Sequence, residues 1–379
     1  MSNIIINALG ISDSGGIAVF DKLLSECSSD DSNNYYVVCN KNKNTNILIN
    51  KFSIFTNLNF GPVINRGLFW RLYYENIFIR KIAIRNHTRL IYNFSGSFQF
   101  FLKIPQVIKI QNLVIFSRKL DLVYWRNSQR LLWIKQVYLK RLLFRFMLNR
   151  SKYVEIQSDH VKRNLNHFIN VKRKIFYIKS DIDVSDREFS APRQYDFSKK
   201  IKFLYIVGPH FEYTHKNLKD FTNVMLDLNE KGVDFEINIT LTMSQLSNSK
   251  TWDSSLNTKT NFLGYIDDKQ KMNALFCDNT ILISTSIIET LGLHVIEGIK
   301  NGVLVISPNE DYTDAVYGKN MFTYALFNRN SILRSIMGIT NSDPFNEKIL
   351  SLQDDLRQSE MSKFGSILDV FDEVINVQK

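Results

Sequence analysis

Residues 284–307, STSIIETLGLHVIEGIKNGVLVIS, place two carboxylates, Glu289 and Glu297, eight positions apart in a strongly apolar window. The stretch reads as a strand (280–285), a loop, a helix (292–301) closed by Gly302, and a second strand (303–307). Leu293, Ile296 and Ile299 keep helical spacing and face the sheet. Glu289 then stands at the carboxyl end of a strand, just ahead of a helix N-terminus, and open α/β sheets bind ligands at that edge. The N–H groups of Leu291, Gly292 and Leu293 offer an anion site, and Gly292 lets a phosphate approach the backbone. Glu297, about a turn and a half into the helix, can accept hydrogen bonds from a diol such as ribose. A glutamate complementing the helix dipole and a second one facing solvent account for the same spacing equally well.

The elements that must position these side chains repeat along the chain. Strand candidates at 3–7, 35–39, 89–94, 106–112, 153–158 and 174–180 are nearly continuous apolar runs, as parallel strands buried on both faces require. Helical stretches such as 66–86 and 159–169 lie between them. Residues 181–200 are polar, carry a proline and lack periodicity, which marks a linker. The alternation then restarts with strands at 201–208, 235–241, 261–266, 280–285 and 303–307 and helices at 216–231, 267–277, 292–301 and 330–339. At 379 residues, two domains of roughly 150–200 residues are expected. The pattern predicts an α/β chain with two Rossmann-like, doubly wound domains, 1–190 and 191–358. A C-terminal helix within 359–379 is expected to pack back on the first.

Residues 289–307, ETLGLHVIEGIKNGVLVIS, resemble the E-x7-E block of retaining glycosyltransferases of the GT-B fold, glycosyltransferase family 4. That block usually runs E-G-F-G-L-P-V-L-E-A-M-A-C-G-V-P-V-I. Both glutamates, the Gly-Leu pair, the closing glycine and the following strand are in register, whereas Thr290 and His294 replace a glycine and a proline. LYIVGPHFEYTHKNL (204–218) is similar to the family's first strand, loop and helix of the second domain, with Lys216 at the position of a diphosphate-binding lysine. Pro209 and His210 stand where an arginine is common. NFLGYIDDKQKMNALF resembles the loop whose backbone meets the nucleobase, near Gly264 to Ile266. ALGISDSGGIAVF resembles the N-terminal glycine loop, where Gly15 and Gly16 leave room for phosphate and acceptor.

The resemblance implies a GT-B fold, its two domains facing each other across a cleft, and transfer of a hexose from a UDP- or GDP-sugar with retention. Lys216 and the 291–293 amides would answer the charge on the leaving diphosphate. Glu289 would lie near the transferred sugar. No metal cofactor is expected, and the Asp pairs at 30–31, 267–268 and 354–355 are read as solvated charge. A histidine that many relatives carry in the first domain has no clear bearer here, because the corresponding IKIQN offers Gln111 and Asn112.

The net charge is +11, with 44% hydrophobic and 22% charged residues, which excludes wholesale disorder. Three scattered cysteines, Cys27, Cys39 and Cys277, suit buried thiols in a reducing compartment. The chain has no run of ~18 uncharged apolar residues and no recognisable signal peptide, so a cytoplasmic protein is expected. Part of the charge concentrates in 118–152. On a helical wheel Arg126, Arg130, Arg141 and Arg145 share one arc, suited either to an anionic membrane surface or to a plain solvent face. Family resemblance points to a peripheral protein on the inner face of a bacterial membrane, extending a lipid-linked glycan of O-antigen or capsule. The rival expectations are a basic nucleic-acid binder, for which no recognisable module is present, and a GT-B sugar-nucleotide epimerase.

Overall fold

The computed structural model describes residues 1–11, 14–64, 67–181, 189–208, 210–266, 268–340, 345–358 and 365–377. The chain forms two compact units. One comprises Met1–Phe116, Leu131–Asp181 and Glu360–Lys379, and the other Ser117–Arg130 and Ile182–Ser359.

The first unit is built on seven parallel strands: β1 (Ser2–Ala8), β2 (Asn33–Asn40), β3 (Leu58–Val63), β4 (Leu90–Asn93), β5 (Gln106–Lys109), β6 (Tyr153–Ile156) and β7 (Ile175–Ile178). Their order is β3-β2-β1-β4-β5-β6-β7. Strand β3 escapes sequence reading because LNFGPV carries Gly61 and Pro62, both poor strand formers tolerated at a sheet edge. A Cβ at Gly61 would stand 2.8 Å from the Tyr36 ring, which would have to move aside. The chain runs outward from β1 to β3 and returns to place β4 beside β1, a topological switch point.

Buried charge lies at the carboxyl side of this sheet. Lys109 Nζ reaches Glu155 at 2.6 Å and Asp181 at 2.5 Å, and Tyr92 donates to Glu155 at 2.5 Å. Asp30, expected as solvated charge, is also buried: its carboxylate accepts from Ser32, Asn33 and Tyr35. The helix Ile367–Asn376 completes this unit. A capping box between Ser366 and Asp369 starts it, and Glu26 accepts from Ser366 Oγ and from the Ile367 N–H, both at 2.8 Å. Its apolar stripe, Ile367, Val370, Phe371, Val374 and Ile375, enters the core, with Phe371 edge-on to Tyr92 at 5.1 Å.

The second unit carries six parallel strands: β8 (Ile201–Tyr205), β9 (Phe235–Ile239), β10 (Thr260–Phe262), β11 (Thr280–Ile283), β12 (Leu304–Pro308) and β13 (Phe322–Tyr324). The order is β10-β9-β8-β11-β12-β13, with the switch between β8 and β11. Strand β13 and the helices Asp311–Tyr317 and Phe345–Gln358 are additions to the sequence reading. Of the linker segment, 182–188 lie outside the described residues. Beyond them the chain is bound into the second sheet: Tyr195 donates to Thr280 O at 2.7 Å and accepts from Leu304 N at 2.6 Å.

Residues 118–152 do not form one continuous helix, which corrects the wheel drawn through them. The helix Arg118–Arg126 ends at Asn127, Ser128 takes a positive φ of 57°, and a new helix begins at Arg130. A π-turn at Ile134–Tyr138 then shifts the phase of Leu139–Arg150, since five rather than four residues close it. Arg126 and Arg130 group with the second unit and Arg145 with the first. Arg141 turns inward, its Nε donating to Ile115 O and its guanidinium lying 4.5 Å from the Phe168 ring.

Candidate active site

The switch point of the second sheet sends the loops after β8 and β11 apart, and each delivers one charged side chain into the opening. After β8, the Thr240 hydroxyl accepts from Val207 N at 2.8 Å and donates to Val207 O at 2.9 Å. A 3-10 turn at Thr214–Lys216 follows, and Asn217, in left-handed conformation at φ 51°, leads into the helix Leu218–Glu230. The two loops are stitched together by backbone: Ile287 N donates to His215 O at 2.7 Å, and Thr285 Oγ1 donates to Lys216 O at 2.7 Å. With both backbones fixed, Lys216 Nζ meets Glu289 Oε1 at 2.7 Å.

Tyrosines hold the second loop from beneath. Tyr312 donates to Ser286 O at 2.6 Å, Tyr324 to Ser284 O at 3.2 Å, and the Tyr205 hydroxyl pairs with Thr285 Oγ1 at 2.8 Å. These anchors are scattered through the sequence, and no spacing announces them. Beyond Glu289 the chain turns at Gly292, φ 59°, into the helix Leu293–Lys300. Val295 N bonds back to Gly292 O at 2.9 Å, so the amides of Leu291, Gly292 and Leu293 precede the first turn's bonding and lie at its N-terminus.

The electrostatics follow from this enclosure. Burial opposes ionisation of Glu289, but Lys216, His294 and the Ser286 hydroxyl outweigh it and hold the carboxyl down at about 2. His294 and His215 are lowered too, which for an imidazole favours the neutral form. Burial, reinforced by the Lys216 charge, lowers each imidazole to about 4 against the pull of Glu289. His294 Nε2 lies 3.3 Å from Ser284 Oγ. At neutral pH the site therefore holds one cation, one carboxylate and two neutral imidazoles beside a helix N-terminus, an arrangement that can take an anion.

The other residues singled out in the sequence lie as follows. Glu297 is exposed on the Leu293 helix, within the electrostatic reach of Lys269 and Lys300. Gly264 has φ 67°, and its N–H donates to Leu241 O at 3.2 Å, bringing the backbone of Gly264 to Ile266 past the end of β9. Pro209 is outside the described residues, whereas His210 stacks on Tyr213 at 4.9 Å. Gly15 and Gly16 belong to the first unit, in the opening turn of the helix Ser14–Ser28, and a side chain at Gly15 would point into open space.

No protein-family model and no curated protein matches the chain. Solved structures do. HepE of Anabaena, solved in complex with UDP and glucose, aligns over 100% of this chain and 99% of its own, with a TM-score of 0.65 and 12% identity. Sucrose-phosphate synthase from Thermosynechococcus elongatus aligns over 100% and 97%, with a TM-score of 0.67 and 12% identity. WaaG, a glycosyltransferase involved in lipopolysaccharide biosynthesis, aligns over 99% of each chain, with a TM-score of 0.62 and 10% identity. The fold is GT-B. In that fold's terms, the pair Lys216–Glu289 stands at the switch point of the second Rossmann-like unit.

Proposed function

We propose that this chain is a retaining glycosyltransferase that moves a hexose-type sugar from a UDP- or GDP-sugar to a lipid-linked glycan, in O-antigen or capsule synthesis. The observation that carries the reading is the 2.7 Å pair of Lys216 and Glu289 beside the N-terminus of the Leu293 helix. Breaking the bond between sugar and diphosphate leaves negative charge on phosphate. Lys216 and the 291–293 amides stabilise that charge where it develops, without a divalent ion. Glu289, held ionised, lies near the transferred sugar. The leaving phosphate helps deprotonate the acceptor hydroxyl on the same face, which retains the anomeric configuration. Glu297 takes the ribose diol, and the backbone near Ile266 meets the base. Gly15 and Gly16, in the opening turn of the helix Ser14–Ser28, leave room for phosphate and acceptor.

The test is release of nucleoside diphosphate from a panel of UDP- and GDP-sugars, with and without lipid extract from a glycan-producing bacterium. Release from one donor, with label appearing in lipid, supports the proposal. An epimerised sugar nucleotide with no transfer overturns it in favour of the epimerase, and inertness toward every donor overturns both.

A lipid-linked acceptor requires a membrane, and the first unit carries a suited face. Among the described residues no helix is long and apolar enough to cross a bilayer. Two helical rods nevertheless expose large apolar side chains: Phe69, Trp70, Tyr73 and Ile77 on one, Leu131, Leu139, Leu142 and Phe146 on the other. The loop between β4 and β5 touches both, with Phe100 N donating to Asn76 Oδ1 and the Phe100 ring 5.2 Å from Phe146. Arg80, Lys81, Arg85, Lys135, Lys140, Arg145 and Arg150 are interspersed, and the only acid in 67–86 or 131–152, Glu75, is buried against Arg71. Aromatic and basic side chains without exposed acids suit an anionic interface. Three of the most exposed, Leu131 at 84%, Phe69 at 80% and Phe101 at 68%, contribute little to the core. Changing all three to serine is expected to lower binding to vesicles containing anionic lipid about tenfold while the melting temperature holds. Undiminished binding would remove this face from the proposal.

A further inference from the structure

We infer that the Tyr317 hydroxyl is a further hydrogen-bond donor to the diphosphate, aimed at the N-terminus of the Leu293 helix; this rests on the donor-site reading above. Tyr317 is the last residue of the helix Asp311–Tyr317 and is completely buried. Its ring lies edge-on to Tyr312 at 6.2 Å. A Cβ added at Gly292 would stand 2.0 Å from the Tyr317 oxygen and 3.5 Å from Glu289 Cγ. The hydroxyl thus occupies the space that glycine leaves free at the helix N-cap, on the side of Glu289.

Among the described residues that hydroxyl has no hydrogen-bond partner. Tyr205, Tyr312 and Tyr324, which surround the same loop, all have one. An unpaired buried hydroxyl costs about 1–3 kcal/mol, and buried polar groups in folded proteins are nearly always satisfied. A phosphate oxygen held by the Gly292 and Leu293 amides would supply the missing acceptor. Burial and the nearby charge of Glu289 push the Tyr317 phenol well above its usual range, so it stays an O–H donor at any working pH. Glycine at 292 then serves two ends, because it adopts the left-handed turn and admits the hydroxyl.

Tyr317→Phe removes the oxygen and leaves the ring. Calorimetric titration of wild type and Tyr317→Phe with UDP, GDP and the bare nucleosides, together with melting of the ligand-free proteins, tests the inference. The expected result is a loss of about tenfold or more in affinity for the nucleoside diphosphate that wild type prefers, as for a hydrogen bond to a charged group. Nucleoside affinity should be unchanged, and the ligand-free variant should melt no lower than wild type. Unchanged diphosphate affinity, or an equal loss for nucleoside and diphosphate, would overturn the role of Tyr317 and leave the donor site standing. Failure of wild type itself to bind either diphosphate would overturn the donor site as well.

Discussion

Lys216→Met is expected to slow sugar transfer at least a hundredfold at saturating donor. On the proposed reading Lys216 is the cation that, among the described residues of the two loops, answers the charge on the leaving phosphate, and loss of such a stabilising group typically costs 10²–10³ in rate. A second consequence is structural. The Glu289 side chain is 14% exposed and paired with Lys216, so removing the cation strands a largely buried carboxylate. Breaking a fully buried pair costs about 3–5 kcal/mol, and partial exposure places this one toward or below the lower end. The variant should melt below wild type, and the Glu289 carboxyl should titrate well above its present value of about 2. Lys216→Arg keeps the charge and should recover part of both losses. Nucleoside diphosphate release and carboxyl titration by NMR measure the two effects. A rate within threefold of wild type would remove Lys216 from the chemistry.

Acidification is expected to loosen the same site before it touches the Lys216–Glu289 pair. His215 and His294 titrate near 4 in the folded chain, against an ordinary value of 6.5. Between those values the unfolded state binds protons that the folded state refuses, so stability falls as pH falls through that window. A shift of this size corresponds to roughly 3.5 kcal/mol per imidazole as an upper bound, at about 1.4 kcal/mol per unit. Glu289 acts in a lower window, which meets that of the histidines only near pH 4. Its carboxyl is depressed from 4.5 to about 2, so its contribution is complete above 4.5 and is lost between 4.5 and 2. Hydrogen exchange of the Leu293 helix at pH 7 and pH 5 should show protection dropping at pH 5. His294→Gln, neutral at both, should lose less on acidification. Equal losses in wild type and variant would exclude His294 as the source.

The glutamate window was legible because its strand, helix and closing glycine obey local rules, and the structure keeps each within a residue or two. The 2.7 Å contact between Lys216 and Glu289 was not legible from spacing alone. Those residues are 73 positions apart, and they meet because β8 and β11 are neighbours at a switch point. Tyr205, Tyr312, Tyr317 and Tyr324 were invisible for a related reason. They come from three elements, β8, the helix Asp311–Tyr317 and β13, and a buried tyrosine reads as ordinary core in any one of them. The basic segment failed on geometry. A wheel assumes one phase, whereas a left-handed Ser128 and a π-turn at Ile134–Tyr138 reset it twice. What survives is the composition of the face: Arg126, Arg130 and Arg145 are exposed among apolar side chains, and of the four arginines only Arg141 turns inward.

The most direct measurement is a calorimetric titration of the wild-type protein with UDP, GDP and a short oligonucleotide, with and without EDTA. The account predicts saturable one-to-one binding of one nucleoside diphosphate, unchanged by EDTA and weakened in Lys216→Met. No heat from either diphosphate, with binding of the oligonucleotide instead, would contradict it and assign the basic surface, not the glutamate window, as the functional face.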